Sequence, residues 1–154
     1  MVLRRCPRRI CRRDASGFSS SQVNGILPLR QPLIIKLTHY RKFLCNHHFN
    51  RAMALRDLAR GAEAVAAISE GCRLLPLDPE QWHRKARILA SVSGGPDAAQ
   101  AAILALRRSI ELGIEDAAIA IGHHDLVSIR TQPEYIALVK EIEQKKRSAM
   151  SQHP

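Results

Sequence analysis

Apolar side chains recur at helical spacing from Ala52 onward and at no sustained spacing before it. Val65, Ile68, Cys72 and Leu75 fall at i, i+3, i+7 and i+10 between Gly61 and Pro76, which predicts one helix with a single apolar stripe. Asp78-Pro79-Glu80-Gln81 reads as the start of the next helix. Asp78 suits the N-cap, Pro79 the first helical position, and Gln81 a returning bond at N3. That helix carries Trp82, Ala86 and Leu89 on one face and ends at Ser93-Gly94-Gly95. Pro96-Asp97 opens a third helix, with Ala102, Leu106 and Ile110 inward and Gly113 as its stop. A short helix is expected over residues 116–121, and one more turn over 125–129 after the break at Gly122. Thr131-Gln132-Pro133-Glu134 has the form of a capping box. It launches a last helix with Tyr135, Leu138, Val139 and Ile142 inward and Lys145-Lys146-Arg147 at its negative end.

The fold class is therefore all-α: about two helix pairs and a C-terminal capping helix. Three segments are expected: a basic, disordered tail over residues 1–44, a helical repeat domain over 45–147, and a frayed end over 148–154. Within the tail, only residues 33–37 read as a short extended piece. Aromatic content of 4% leaves Ala, Leu, Ile and Val to build the core, which favours close helix packing.

Charge separates the chain sharply. Residues 1–56 hold 12 of the 24 Lys and Arg but a single acid, Asp14, whereas residues 57–154 hold 12 cations against 13 acids. The excess of +10 thus belongs to the first third, where it could meet nucleic acid, anionic lipid or an acidic partner. The step near residue 50 is also what a translation start placed too far upstream would leave, with Met53 close to the true beginning. Four scattered cysteines (Cys6, Cys11, Cys45, Cys72) form no disulfide framework and fit a reducing, cytoplasmic setting. The run 26–37 is broken by Pro28, Arg30, Pro32 and Lys36, so it is neither a secretory core nor a membrane span. The Arg-rich, acid-poor start shares its composition with transit peptides.

With Trp82 at the Trp position, the chain resembles the tetratricopeptide repeat. Ala86 and Leu89 take the small and apolar positions of the first helix, while Lys85 stands where a Leu is usual. The preceding repeat supplies Ala64, Ile68, Gly71 and Pro76 at its second-helix positions. Ala102, Leu106, Ser109, Ile110 and Leu112 fit the second helix of the Trp82 repeat if Ser93–Pro96 is an insertion, and Ile114 replaces the closing Pro. Further on, Asp116-Ala117, Asp125-Leu126, Ile129-Arg130, Pro133 and Tyr135 resemble the C-terminal end of repeat regions in bacterial serine/threonine protein kinases, with His123-His124 where Asp-Pro is usual. The resemblance spans about residues 52–146. It implies a non-enzymatic protein–protein interaction module, or a C-terminal remnant of a larger kinase or signalling protein.

Candidate chemistry is sparse. His123-His124-Asp125-Leu126 echoes a kinase catalytic loop, but Arg130 stands where the metal-binding Asn belongs, and no phosphate loop accompanies it. Cys45-x-His47-His48 and His123-His124-Asp125 lack the paired spacing of a zinc site, and neighbouring histidines on a helix point about 100° apart. No catalytic residue, metal or cofactor is assigned. Peptide binding is what the resemblance supports: in such arrays the first helix of each pair lines the concave face. With Trp82 as core, Glu80, His83, Arg87 and Ser91 would then face a groove. Arg87 and a protonatable His83 would favour an acidic peptide there; as a bland alternative, all four are simply a solvated helix side. Nucleic-acid association through the Arg-rich N-terminal tail is the rival reading, although the Arg doublets at its start have no interleaved aromatics. So thin a core also makes a dimer an expectation.

Overall fold

The computed structural model describes residues 27–92 and 94–151, with side chains over 36–92, 94–149 and at Ser151. Six α-helices and one 3-10 helix account for it: α1 (Leu27–Asp57), α2 (Gly61–Leu74), α3 (Pro79–Ser91), α4 (Gly95–Glu111), α5 (Ala117–Gly122), the 3-10 helix η1 (His124–Ile129) and α6 (Pro133–Ser151). Among the described residues there is no strand. The chain divides into two units, 1–36 and 37–154. The second holds the core and the candidate sites, and the first contributes only the helical backbone of α1 from Leu27.

Local chemistry explains most boundaries. The Asp78 carboxylate accepts from Glu80 N at 3.0 Å, and Pro79 occupies the first position of α3. Asp116 caps α5 by accepting from Ala118 N and Ile119 N. Helix α4 ends in a Schellman motif: Gly113, at φ 83°, donates to Ile110 O at 3.0 Å, and Ile114 N donates to Ser109 O at 3.2 Å. The same motif ends α1, where Arg60 N reaches Leu55 O at 2.8 Å and Ala59 N reaches Arg56 O at 2.9 Å. There the left-handed position is filled by Ala59, at φ 58°. An alanine in that conformation is strained, because its Cβ crowds the neighbouring carbonyl. Ala59→Gly should therefore stabilise the protein by about 0.5–1 kcal/mol, seen as a higher urea midpoint at unchanged slope. A lower midpoint would show that the loop does not need that conformation.

Two adjoining apolar clusters form the interior. One joins Ala86, Leu89 and Ala90 of α3, Ala102, Ile103, Ala105 and Leu106 of α4, Leu126 and Ile129 of η1, and Tyr135 and Leu138 of α6. The other joins Ala52 and Leu55 of α1, Ala64, Ala67 and Ile68 of α2, and Ile88 of α3. Small residues set how closely these helices approach. A Cβ on Gly61 would stand 2.4 Å from Val92 Cγ1, so glycine lets the start of α2 lie against the end of α3. The helical stripes read from the sequence lie along the buried faces of α2, α4 and α6, whereas α3 is buried further round, at Gln81, His83 and Ile88 as well as Ala86 and Leu89.

Several expectations need correction. Residues 33–37 are helical rather than extended, and the boundary drawn at residue 45 falls inside α1. No sign of this shows in the sequence because residues 36–43 are exposed on all sides, so burial imposes no period on them. The backbone of residues 27–44 is thus a helix, while the expectations for residues 1–26 lie outside the described residues. At the other end, α6 continues to Ser151, so the basic trio 145–147 lies inside the helix and its last turn holds no cation. The capping box is displaced: Gln132 O accepts from Tyr135 N and Ile136 N, both at 3.1 Å, which places Thr131 outside the helix. Gln81 returns no capping bond; its side chain is buried, with Oε1 unpartnered in the structure.

Candidate functional site

The residues expected to line a peptide groove are mostly committed elsewhere. They lie on α3, the central helix, which contacts α2, α4 and η1. His83 is only 7% exposed, and its Nε2 lies 3.1 Å from Ala120 O on α5. A carbonyl only accepts, so Nε2 carries the proton. Arg87 Nε donates to Asp125 Oδ2 on η1 at 2.9 Å. Ser91 Oγ turns back to Ile88 O at 3.0 Å, and Glu80 pairs with Arg84 at 3.1 Å on its own helix. Of the four, only Glu80 and His83 border a shared surface hollow, lined also by Ile114, Glu115, Asp116 and Ile119. Glu80, His83, Arg87 and Ser91 are expected from the sequence to face one groove; α5 and η1 pack on the part of α3 that carries His83 and Arg87, while Glu80 stays half-exposed. The covering segment lies some 38 residues away in sequence, so periodicity could not reveal it.

Asp125 is the hub of this packing. Besides Arg87, Arg56 of α1 approaches its Oδ1 at 3.6 Å, and His124 Nε2 lies 3.2 Å from the same oxygen. The carboxylate is 10% exposed and the two arginine side chains 16% and 19%, so the pairing is well shielded from water. Phe49 backs it, with the Arg84 and Arg87 guanidinium carbons 4.9 and 5.3 Å from its ring centroid. His123 caps η1 by accepting from Asp125 N at Nδ1, 3.2 Å away. Its extended backbone, φ −60° and ψ 137°, puts it outside the helix. The divergence expected of adjacent helical histidines therefore does not arise: the two rings stack at 4.3 Å. One ligand-type atom each of His123, His124 and Asp125 lies within 4.8 Å of the others. Asp125 in that trio already holds a guanidinium on each oxygen, and His123 Nδ1 is occupied by a backbone N–H.

The other residues of the C-terminal motif brace the same corner. Leu126 and Ile129 are buried. Arg130 donates to Gly122 O at 2.8 Å and to His123 O at 3.2 Å, satisfying carbonyls at the end of α5. Tyr135 Oη donates to Ile121 O at 2.5 Å, and Ser128 Oγ to Ala90 O at 2.5 Å. Ser128, Arg130 and Tyr135 thus each tie a side chain to the backbone of another segment.

Titration follows from these contacts. Burial, aided by Arg87 and Arg84, lowers the His83 pKa below its ordinary value against the opposing pull of Glu80 and the Ala120 bond. Burial and then Arg87 lower that of His123. For Asp125, burial alone would raise the carboxyl, but the Arg87 hydrogen bond and charge outweigh it and hold it low. A histidine depressed on folding binds protons more readily when unfolded. Its contribution is therefore complete above the unfolded value, about 6.5, and declines as pH falls from there toward the folded value. The Asp125 contribution is lost only further down, as pH falls through its own lowered pKa. Urea midpoints should hence drop between about pH 7.5 and 5, and by less in a His83→Gln variant. Equal midpoints at the two pH values would show that these imidazoles are not desolvated.

The cysteines carry no site. Cys45 and Cys72 are buried, each thiol donating to a carbonyl, Gly71 O and Gln81 O, at 3.4 Å. Burial pushes the Cys72 thiol up to about 11 and also raises that of Cys45. Such thiols are poor nucleophiles. Cys6 and Cys11 lie outside the described residues.

What the arrangement leaves open is apolar. Trp82, expected in the core, stands at its margin: its Nε1 donates to Pro76 O at 2.8 Å, and Lys85 Nζ lies 5.5 Å from the ring centroid. With Val65, Leu89, Ala101, Leu104 and Ala105 these residues line a shallow groove of about 340 Å³ between α2 and α4. Leu104 is 60% exposed at its rim. The signal for it is present in the sequence, because Leu104 falls two residues before buried Leu106 and so points away from the core stripe. No helix among the described residues is long and apolar enough to cross a membrane. Comparison with protein-family models, curated proteins and solved structures gives no match for this chain.

Proposed function

We propose that the chain is a non-enzymatic, cytoplasmic protein-interaction module of tetratricopeptide-like kind, which takes a partner segment in the groove between α2 and α4. The carrying observation is the contrast between two faces of α3. Its polar face, with His83 and Arg87, is tied to α5 and η1 by hydrogen bonds and ion pairs. Its other side places the Trp82 indole in a groove whose rim is formed by the exposed Leu104 of α4. A partly buried Trp beside aliphatic side chains is the usual composition of an interface anchor. Lys85 over the ring adds a cation at the groove, which favours a partner segment combining apolar anchors with a carboxylate.

A random peptide library panned on the full chain should enrich sequences with spaced apolar residues and at least one acid. Leu104→Asp should abolish their capture while leaving the thermal transition in place, since the site is exposed. Enriched peptides that bind Leu104→Asp unchanged, or no enrichment at all, would remove the proposal.

A further inference from the structure

A second surface stands apart from that groove and has a different chemistry. Residues 37–43 of α1 are all exposed, and the core begins only at Cys45. Tyr40 is 65% exposed and Phe43 61%. With His47 and Arg51, also exposed, they fall at i, i+3, i+7 and i+11, along one outer face of the helix. The Phe43 and His47 rings meet edge to face, with centroids 4.4 Å apart. Arg41 and Lys42 flank the row, and no Asp or Glu occurs anywhere between residues 15 and 56.

We propose that this outer face of α1, from Tyr40 to Arg51, binds single-stranded nucleic acid, bases stacking on Tyr40 and Phe43 and phosphates pairing with Arg41, Lys42 and Arg51. Three observations favour that occupant over an acidic protein. The surface is a convex helix flank, where a protein partner needs a pocket for its anchors. The rings are interleaved with cations, which is the pattern that grips bases and backbone together. The sign of charge is uniform over a stretch far longer than one ion pair needs, as suits a polyanion. This face is independent of the α2–α4 groove, and Leu104→Asp should leave its binding intact.

The test is fluorescence anisotropy of the full chain with a labelled oligo(dT) of about 20 nucleotides. Duplex DNA of the same length, poly-glutamate and phosphatidylserine vesicles serve as competitors. Oligo(dT) should bind, and Y40A/F43A should weaken binding at least about tenfold with an unchanged circular dichroism spectrum. R41Q/K42Q should flatten the log–log salt slope by about 1.4, because each phosphate no longer neutralised by a cation is worth about 0.7. The proposal is overturned if oligo(dT) does not bind, or if Y40A/F43A binds it as tightly as the wild type. Competition by poly-glutamate or vesicles as effective as that by unlabelled oligo(dT) overturns it too, and would reassign the face to an acidic protein or a membrane.

Discussion

Asp125→Ala should destabilise the protein by about 2–3 kcal/mol, one of the largest effects of any polar substitution in it. The carboxylate is held by Arg87 at 2.9 Å and approached by Arg56 at 3.6 Å, all three mostly out of water. Removing it leaves the shielded Arg87 guanidinium without its ion-pair partner, whereas Arg56 keeps Asp57 at 2.8 Å. A fully buried pair broken this way costs about 3–5 kcal/mol, and the residual exposure of 10–19% reduces that figure. Asp125→Asn keeps the size and one acceptor oxygen, so it should fall between wild type and alanine. Urea unfolding followed by circular dichroism checks both. An alanine variant as stable as wild type would mean that Asp125 is spared for a ligand rather than spent on structure.

Leu106→Ala should cost about 3–4 kcal/mol by a different mechanism. Leu106 is fully buried at the meeting of α3, α4, η1 and α6, against residues such as Ala86, Leu126 and Leu138. Many of its neighbours are alanines, which have no rotamers with which to fill a void. The cavity should therefore persist, and the loss should lie in the upper part of the usual range. Leu104→Ala, two residues away and 60% exposed, is the internal control, with a change inside about 0.5 kcal/mol. Equal losses at the two sites would mean that α4 is rotated about its axis from the orientation described.

The elements legible in the sequence are those whose information is local. Asp78 and Asp116 announce their helices because a cap needs only the next few residues. Gly113 announces the end of α4 for the same reason. The stripes through Ile68, Leu89, Leu106 and Leu138 are visible because burial repeats with the helical turn. The first half of α1 is not, because residues 36–43 are exposed and the two prolines at its start argue against a helix. The fate of His83 and Arg87 is equally hidden, because their partners, Ala120 and Asp125, lie 37 and 38 residues downstream. Spacing along one helix places those side chains on a common face. It cannot tell that another segment lies on that face. His123 illustrates the same limit at close range, since the 100° rule applies only inside a helix and this residue caps one.

In the function we propose, the cluster around Asp125 holds the fold together and the apolar groove is the surface for partners. A double-mutant cycle on Arg87→Ala and Asp125→Ala, followed as urea unfolding free energies of the full chain, addresses that division of roles at its centre. A coupling of at least about 1 kcal/mol is expected, with the double variant less damaged than the two single losses added together. Strictly additive losses would contradict it, because Arg87 and Asp125 would then contribute to stability without holding each other.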